Sequence, residues 1–138
     1  MTFGAVVIAA NALAGGWGAF AWARGFPSVV FWYLLRIAQA AVVAQVAFGF
    51  ALVATGSQPG GLHLLYGAAP IAVTLVTEGM RLSVATRDVP DAEDLRRLAP
   101  AEQQAIARLV VRRETGVMAA GAILILTLAA RAYASGGG

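Results

Sequence analysis

Cysteine is absent, and so is lysine: all ten basic residues are arginine. Without thiols the chain forms no disulfide, no thiolate metal site and no iron–sulfur cluster. A single histidine, His63, excludes a histidine-cluster metal site within one chain. Charge is scarce as well. Charged residues are 12% of the 138, about half of the roughly 25% in an ordinary soluble domain. Hydrophobic residues are 59%, and mean hydropathy is +0.74. A soluble fold with so little polar material would expose apolar surface that soluble monomers avoid. The sequence also contains no Walker or G-x-G-x-x-G loop, no G-x-S-x-G elbow and no H-E-x-x-H pair. No catalytic residue is assigned, and the chain reads as a non-enzyme.

What is present is long apolar runs. A helix needs roughly 20 mostly apolar residues to cross a bilayer core of about 30 Å, and four segments meet that length: 3–23, 27–55, 62–82 and 116–134. The first carries no charge, the second only Arg36, the third Glu78 and Arg81 near its end, and the fourth Arg131 near its end. Period-two alternation is weak, which argues against barrel strands. Each helix satisfies its own backbone hydrogen bonds in lipid. Nothing basic precedes Arg24, so the first run reads as a span rather than a cleaved leader. The expected fold is an all-α, integral membrane four-helix bundle forming one domain.

Two connections are short. Arg24-Gly-Phe-Pro27 is a turn with proline at the following helix start, and Gly56-Ser-Gln-Pro-Gly-Gly61 is a turn by composition. Short connections imply antiparallel neighbours. The third connection, 83–115, is long and polar. Asp91 reads as a helix cap followed by Glu93 and Asp94, with Glu93 and Arg97 at pairing distance. Pro100 and Glu102 open a second helix with no break before Gly116. Continued to Ala134 it would run about 50 Å, so its first turns should project into water.

Arginine places the loops. Arg24 lies in the first loop, and Arg81, Arg87, Arg96, Arg97, Arg108, Arg112 and Arg113 lie in or beside the third, whereas the second has none. The positive-inside rule makes loops one and three cytoplasmic and puts both termini outside the cell membrane. Arg131 is the contrary charge, and it can snorkel. The basic cluster of Arg81, Arg108, Arg112 and Arg113 flanks a span, so its expected partner is anionic lipid head groups rather than nucleic acid.

Small residues recur at four-residue spacing: Ala12 with Gly16, Ala14 with Gly18, Gly15 with Ala19, and Gly116 with Ala120. They let membrane helices approach closely, within the bundle or in a homo-oligomer or larger complex. Asn11, Gln39 and Gln45 are expected to bond between helices. Trp17, Trp22, Trp32 and Tyr33 read as an interfacial belt. Arg36 sits well inside the second span, where an isolated charge costs about 2.5–3.5 kcal/mol. Glu78 of the third span is its expected partner, with Glu114 as the other acid within reach. The functional alternative there is an anion or proton site.

In the third span His63, Tyr66, Gly67, Pro70, Thr74, Thr77, Glu78 and Arg81 fall on one helical face. The string Gln45-Val-Ala-Phe-Gly49, Thr55-Gly56, Pro59 and Leu62-His63 resembles one stretch of the haem A synthase family. That resemblance implies a four-helix haem-binding half-bundle with His63 on the iron; Tyr66, on the same helical face, is the other candidate cofactor contact. Each half of that family supplies two histidines and this chain has one, so a second ligand would come from another chain. Over most of its length, through Leu62-His-Leu-Leu-Tyr-Gly67, Glu78-Gly-Met-Arg81 and Arg112-Arg-Glu-Thr-Gly-Val-Met118, the sequence also resembles uncharacterised small four-span proteins of high-GC Gram-positive bacteria. The leading expectation is an accessory or structural subunit of a membrane complex, or a lipid-associated protein. A haem-binding membrane protein of respiratory or haem metabolism using His63, and a small transporter using Arg36 and Glu78, are the alternatives.

Overall fold

The apolar runs form helices. The computed structural model describes residues 3–56, 61–87 and 89–135, without the side chains of 62–64 and 135. Its elements are α1 (Phe3–Arg24), α2 (Val29–Ala54), α3 (Gly61–Thr86), α4 (Ala92–Arg97) and α5 (Pro100–Ser135). Among the described residues there is no strand. Helices α1, α2, α3 and α5 are each long and apolar enough to cross a membrane.

Local chemistry sets the helix ends. Gly25 adopts φ +68°, a left-handed conformation that glycine takes without a Cβ penalty. The Gly25 amide donates to the Trp22 carbonyl and the Phe26 amide to Ala21, the paired bonds of a Schellman close. The second helix starts at Val29, two residues later than Pro27. The reason is Ser28, whose hydroxyl accepts from the Phe31 amide at 3.2 Å and from the Trp17 indole at 2.8 Å. Ser28 is buried. Ser28→Ala removes a cap and orphans an indole donor, so a loss of about 1–2 kcal/mol is expected in thermal unfolding. An unchanged midpoint would show that the cap carries no stability.

The third helix runs to Thr86, four residues beyond the sequence boundary. Its connection to α5 is therefore shorter than 83–115. Asp91 occupies the N-cap of α4 but makes no side-chain capping bond. Arg97 and Glu93 pair at 2.6 Å on its surface. Glu102 reaches back to the Ala99 amide at 3.0 Å, half of a capping box with Pro100 in the first turn. From there α5 runs unbroken for 36 residues, about 54 Å.

The four long helices alternate in direction. Gly18 of α1 lies against Phe31 of α2, while Gly15 and Trp22 of α1 lie against Ile123 and Gly116 of α5. Thr77 of α3 lies against Gly121 of α5. The C-terminal ends of α1 and α3 thus share one end of the bundle with the start of α2; it is called the arginine end below. Helix α5 is the organising element, flanked by α1 and α3 and seated on α2. Its residues Met118, Ala119 and Ala122 meet Ala14, Phe31, Leu35 and Ala38 in one core cluster. Ile125 and Ala129 meet Val7 and Val42 in a second. The third helix is packed more loosely, with 6% of its apolar window buried against 33% for α5.

The small-residue pattern divides between two environments. Ala14, Gly15 and Gly18 are buried in the seams, whereas Ala12 and Gly16 face outward. Asn11 is buried but does not bond between helices: its amide donates to the Val7 carbonyl of its own helix at 2.9 Å. Thr74 and Thr77 likewise bond back to Pro70 and Val73 of α3.

Candidate functional site

Polar side chains from three helices converge near the arginine end. Arg36 lies seven residues into α2, about 11 Å along the axis. Its Nη1 donates to Glu78 Oε1 at 2.6 Å and to Gln39 Oε1 at 2.6 Å. Gln39 Nε2 in turn donates to the same Glu78 oxygen at 2.9 Å. The other Glu78 oxygen accepts from Arg81 Nε at 2.8 Å. Arg81 Nη1 then reaches Glu114 of α5 at 3.7 Å. The spacing of Arg36 and Gln39, three apart, puts both on the face of α2 toward α3, and Glu78 and Arg81 repeat that spacing on α3.

The network is balanced, with two guanidinium groups against two carboxylates. Its members differ in cover. The Arg36 side chain is 54% exposed, Glu78 25%, Arg81 24% and Glu114 18%. Glu78 is the hub, because both its oxygens are bonded and it alone touches two arginines. Arg81 also lies over the Trp32 ring, 5.7 Å from the centroid. Sequence spacing pointed to Arg36 with Glu78. It left Arg81 among the lipid contacts and did not join Gln39, Arg81 and Glu114 into one chain of bonds. The i, i+3 spacing of Arg36 with Gln39 and of Glu78 with Arg81 was the available signal for two of them; Glu114 had none of that kind.

The other arginines of the basic cluster, Arg108, Arg112 and Arg113, lie on the first half of α5. Arg112 sits over the Trp22 ring at 5.8 Å. Arg108 reaches Gln104 at 3.4 Å. Both line a cleft of about 190 Å³ against Gly25, Phe26 and Pro27 of the first connection. Arg113 donates to the Arg87 carbonyl at 3.1 Å, which ties the end of α3 to α5. The tryptophans pack and bond rather than only mark an interface: Trp17 on Ser28, Trp22 under Arg112 and Trp32 under Arg81.

The side chain of His63 lies outside the described residues, although its backbone begins α3. Tyr66, one turn on, is half-buried. Gln45 carries a buried Oε1 with no hydrogen-bond partner among the described residues. Among the described residues no group of three His, Asp or Glu side chains is placed to hold a metal ion. Chemically, then, the converging side chains form an intrahelical and interhelical clamp of fixed charges.

The class defined by this geometry is an all-helical bundle with four helices of membrane-crossing length. No protein-family model, curated protein or solved structure matches the chain.

Proposed function

We propose that the chain is a four-span integral membrane protein that acts by binding and support rather than catalysis. It is an accessory or structural element of a membrane complex, in contact with anionic lipid at its arginine end. The observation that carries this reading is the distribution of polarity. The outer faces of α1, α2 and α3 are apolar, with Leu13, Ile37, Phe50 and Leu75 each more than 60% exposed, and the second half of α5 exposes Ile123 and Leu124. The charges of the α2 and α3 spans instead pair with one another and with Glu114 of α5 at the helix seams. Water would penalise such a surface, and a bilayer would not. Arg108, Arg112 and Arg113 then stand at head-group level, with the arginine end cytoplasmic and both termini on the other side.

The Glu78 bonding speaks against the transport alternative. Both carboxylate oxygens are engaged by protein donors, so a transported cation or proton would have to displace an arginine.

The test uses the cysteine-free background. Single cysteines replace Ser57, in the second connection, and Ala101, at the exposed start of α5. The chain is expected to stay in the membrane pellet after carbonate extraction. An impermeant thiol reagent added to intact cells should label position 57 alone. Labelling of position 101 alone would invert the orientation, and release by carbonate would overturn membrane insertion. Protein purified in mild detergent is expected to be colourless. A Soret band lost in His63→Ala would replace this reading with the haem one.

A further inference from the structure

Between α1 and α3 the outer face of α5 is uncovered and forms the floor of a groove. Toward the arginine end the groove is a cleft of about 640 Å³, walled by Ala19 and Trp22 of α1, by Val84 of α3 and by Arg87 just beyond it. It continues along the α3 side as a cleft of about 560 Å³, walled by Val73, Val76 and Met80. The two share Gly116, Val117 and Ala120 as floor. These volumes lie in the range of ligand-holding clefts, about 300–1,000 Å³.

Three features of the groove point to one occupant. Its polarity is graded along its length. The charged residues lining it are Arg87 and Arg113, both at the arginine end, and beyond them the lining is apolar apart from Thr77. Thr77 bonds back to its own helix. The acids next to these arginines in the chain are Glu114, held by Arg81, and Asp88, which lies outside the described residues. The second feature is length. Arg113 to Leu124 spans eleven residues, about 17 Å, close to half of the roughly 30 Å hydrocarbon core. A helix from a second copy would need a face running the full core. The third is the floor itself, where small side chains leave a channel. A Cβ on Gly116 would strike the Trp22 indole, so Trp22 closes over the floor at the level where aromatic belts meet head groups.

We propose that this groove holds one acyl chain of an anionic phospholipid, with the phosphate at Arg87 and Arg113. The proposal rests on the membrane reading above and adds a specific, stoichiometric lipid site to it. Arg87 is exposed at the end of α3 and supplies the head-group charge. Arg113, anchored on the Arg87 carbonyl, fixes the corner at which the phosphate sits.

The experiment reconstitutes the full chain into bilayers of phosphatidylcholine alone or mixed equally with phosphatidylglycerol. It then counts lipids retained through mild delipidation by native mass spectrometry. One phosphatidylglycerol per chain is expected to be retained in preference to phosphatidylcholine. Arg87→Gln should lower that preference about fivefold, the effect of one arginine near an anionic surface. Arg96→Gln removes the same charge from the exposed face of α4 and should leave retention unchanged. Ala120→Phe fills the exposed floor and should abolish retention for either head group. Circular dichroism establishes that each variant is folded. Equal retention of both lipids, equal loss in Arg87→Gln and Arg96→Gln, or full retention in Ala120→Phe would overturn the proposal. So would a wild-type dimer that Ala120→Phe converts to monomer, which would make the groove an interface between copies. Release from membranes by carbonate would instead mean that the membrane reading had failed.

Discussion

Glu78→Gln is expected to destabilise the bundle by about 2–4 kcal/mol, below the roughly 3–5 kcal/mol for breaking a fully buried pair because Glu78 is a quarter exposed. The loss follows from the hub position of Glu78. Its carboxylate holds Arg36 and Arg81 together; without it Arg36 keeps only the Gln39 amide and Arg81 only Glu114. Adding Arg36→Gln should recover much of the loss. The double variant leaves Arg81 with Glu114, one charge of each sign, so no orphan remains. The measurement is a double-mutant cycle on thermal unfolding in detergent, with the coupling expected to be favourable by more than about 1 kcal/mol. Simple additivity would show that Arg36 draws nothing from Glu78. Arg36→Gln alone should cost less than Glu78→Gln, because the Arg36 side chain is more than half exposed and removing it leaves Glu78 still bonded to Arg81.

Gly18→Val and Gly16→Val should behave very differently, though both are glycines of one small-residue helix. A Cβ at Gly18 would fall inside the Phe31 ring and against the Ala119 methyl, while at Gly16 nothing lies within 4 Å. Phe31 is fully buried in the larger core cluster and cannot move without opening the α1–α2–α5 seam. Overpacking of this kind costs about 1–3 kcal/mol or more, and Gly18→Val should lie at or beyond the upper end. Gly16→Val should stay within about 0.5 kcal/mol of the wild type, as surface changes do. Equal effects at the two positions would mean that α1 is rotated from the placement described. If Gly16→Val alone reduced oligomeric state, the outward Ala12 and Gly16 face would be an interface between chains.

The charge network was only partly legible beforehand. Depth in an apolar run singled out Arg36, and antiparallel connectivity brought Glu78 to its level. Both follow from spacing and from the cost of a lone charge in an apolar span. Gln39 could not be assigned a partner, since an amide serves any neighbour. Arg81 lies three residues after Glu78 and looked like a cation at the end of a span. Its rotamer, set by packing over Trp32 and toward α5, turns it into the bundle. Ser28 was missed because Pro27 is itself a valid helix opening. Only the approach of Trp17 and the Phe31 amide selects the serine as the cap.

By itself the sequence determined the element types, their order and their approximate lengths. Apolar runs of membrane-crossing length, punctuated by Gly25, by the glycine-rich turn after Thr55 and by Pro100, allow little besides helices. These signals are local in the chain. Tertiary structure alone decided which faces meet. Ala12, Ala14, Gly15, Gly16, Gly18 and Ala19 are nearly interchangeable as sequence, because a stripe of small residues winds around the whole helix. Contact with Phe31, Ala119 and Ile123 buries three of them and leaves Ala12 and Gly16 outside. The same packing made α5 the centre of the bundle and left its outer face open between α1 and α3. In a helix apolar on every side the hydrophobic pattern has no preferred direction, so close steric fit and a few charges choose the register.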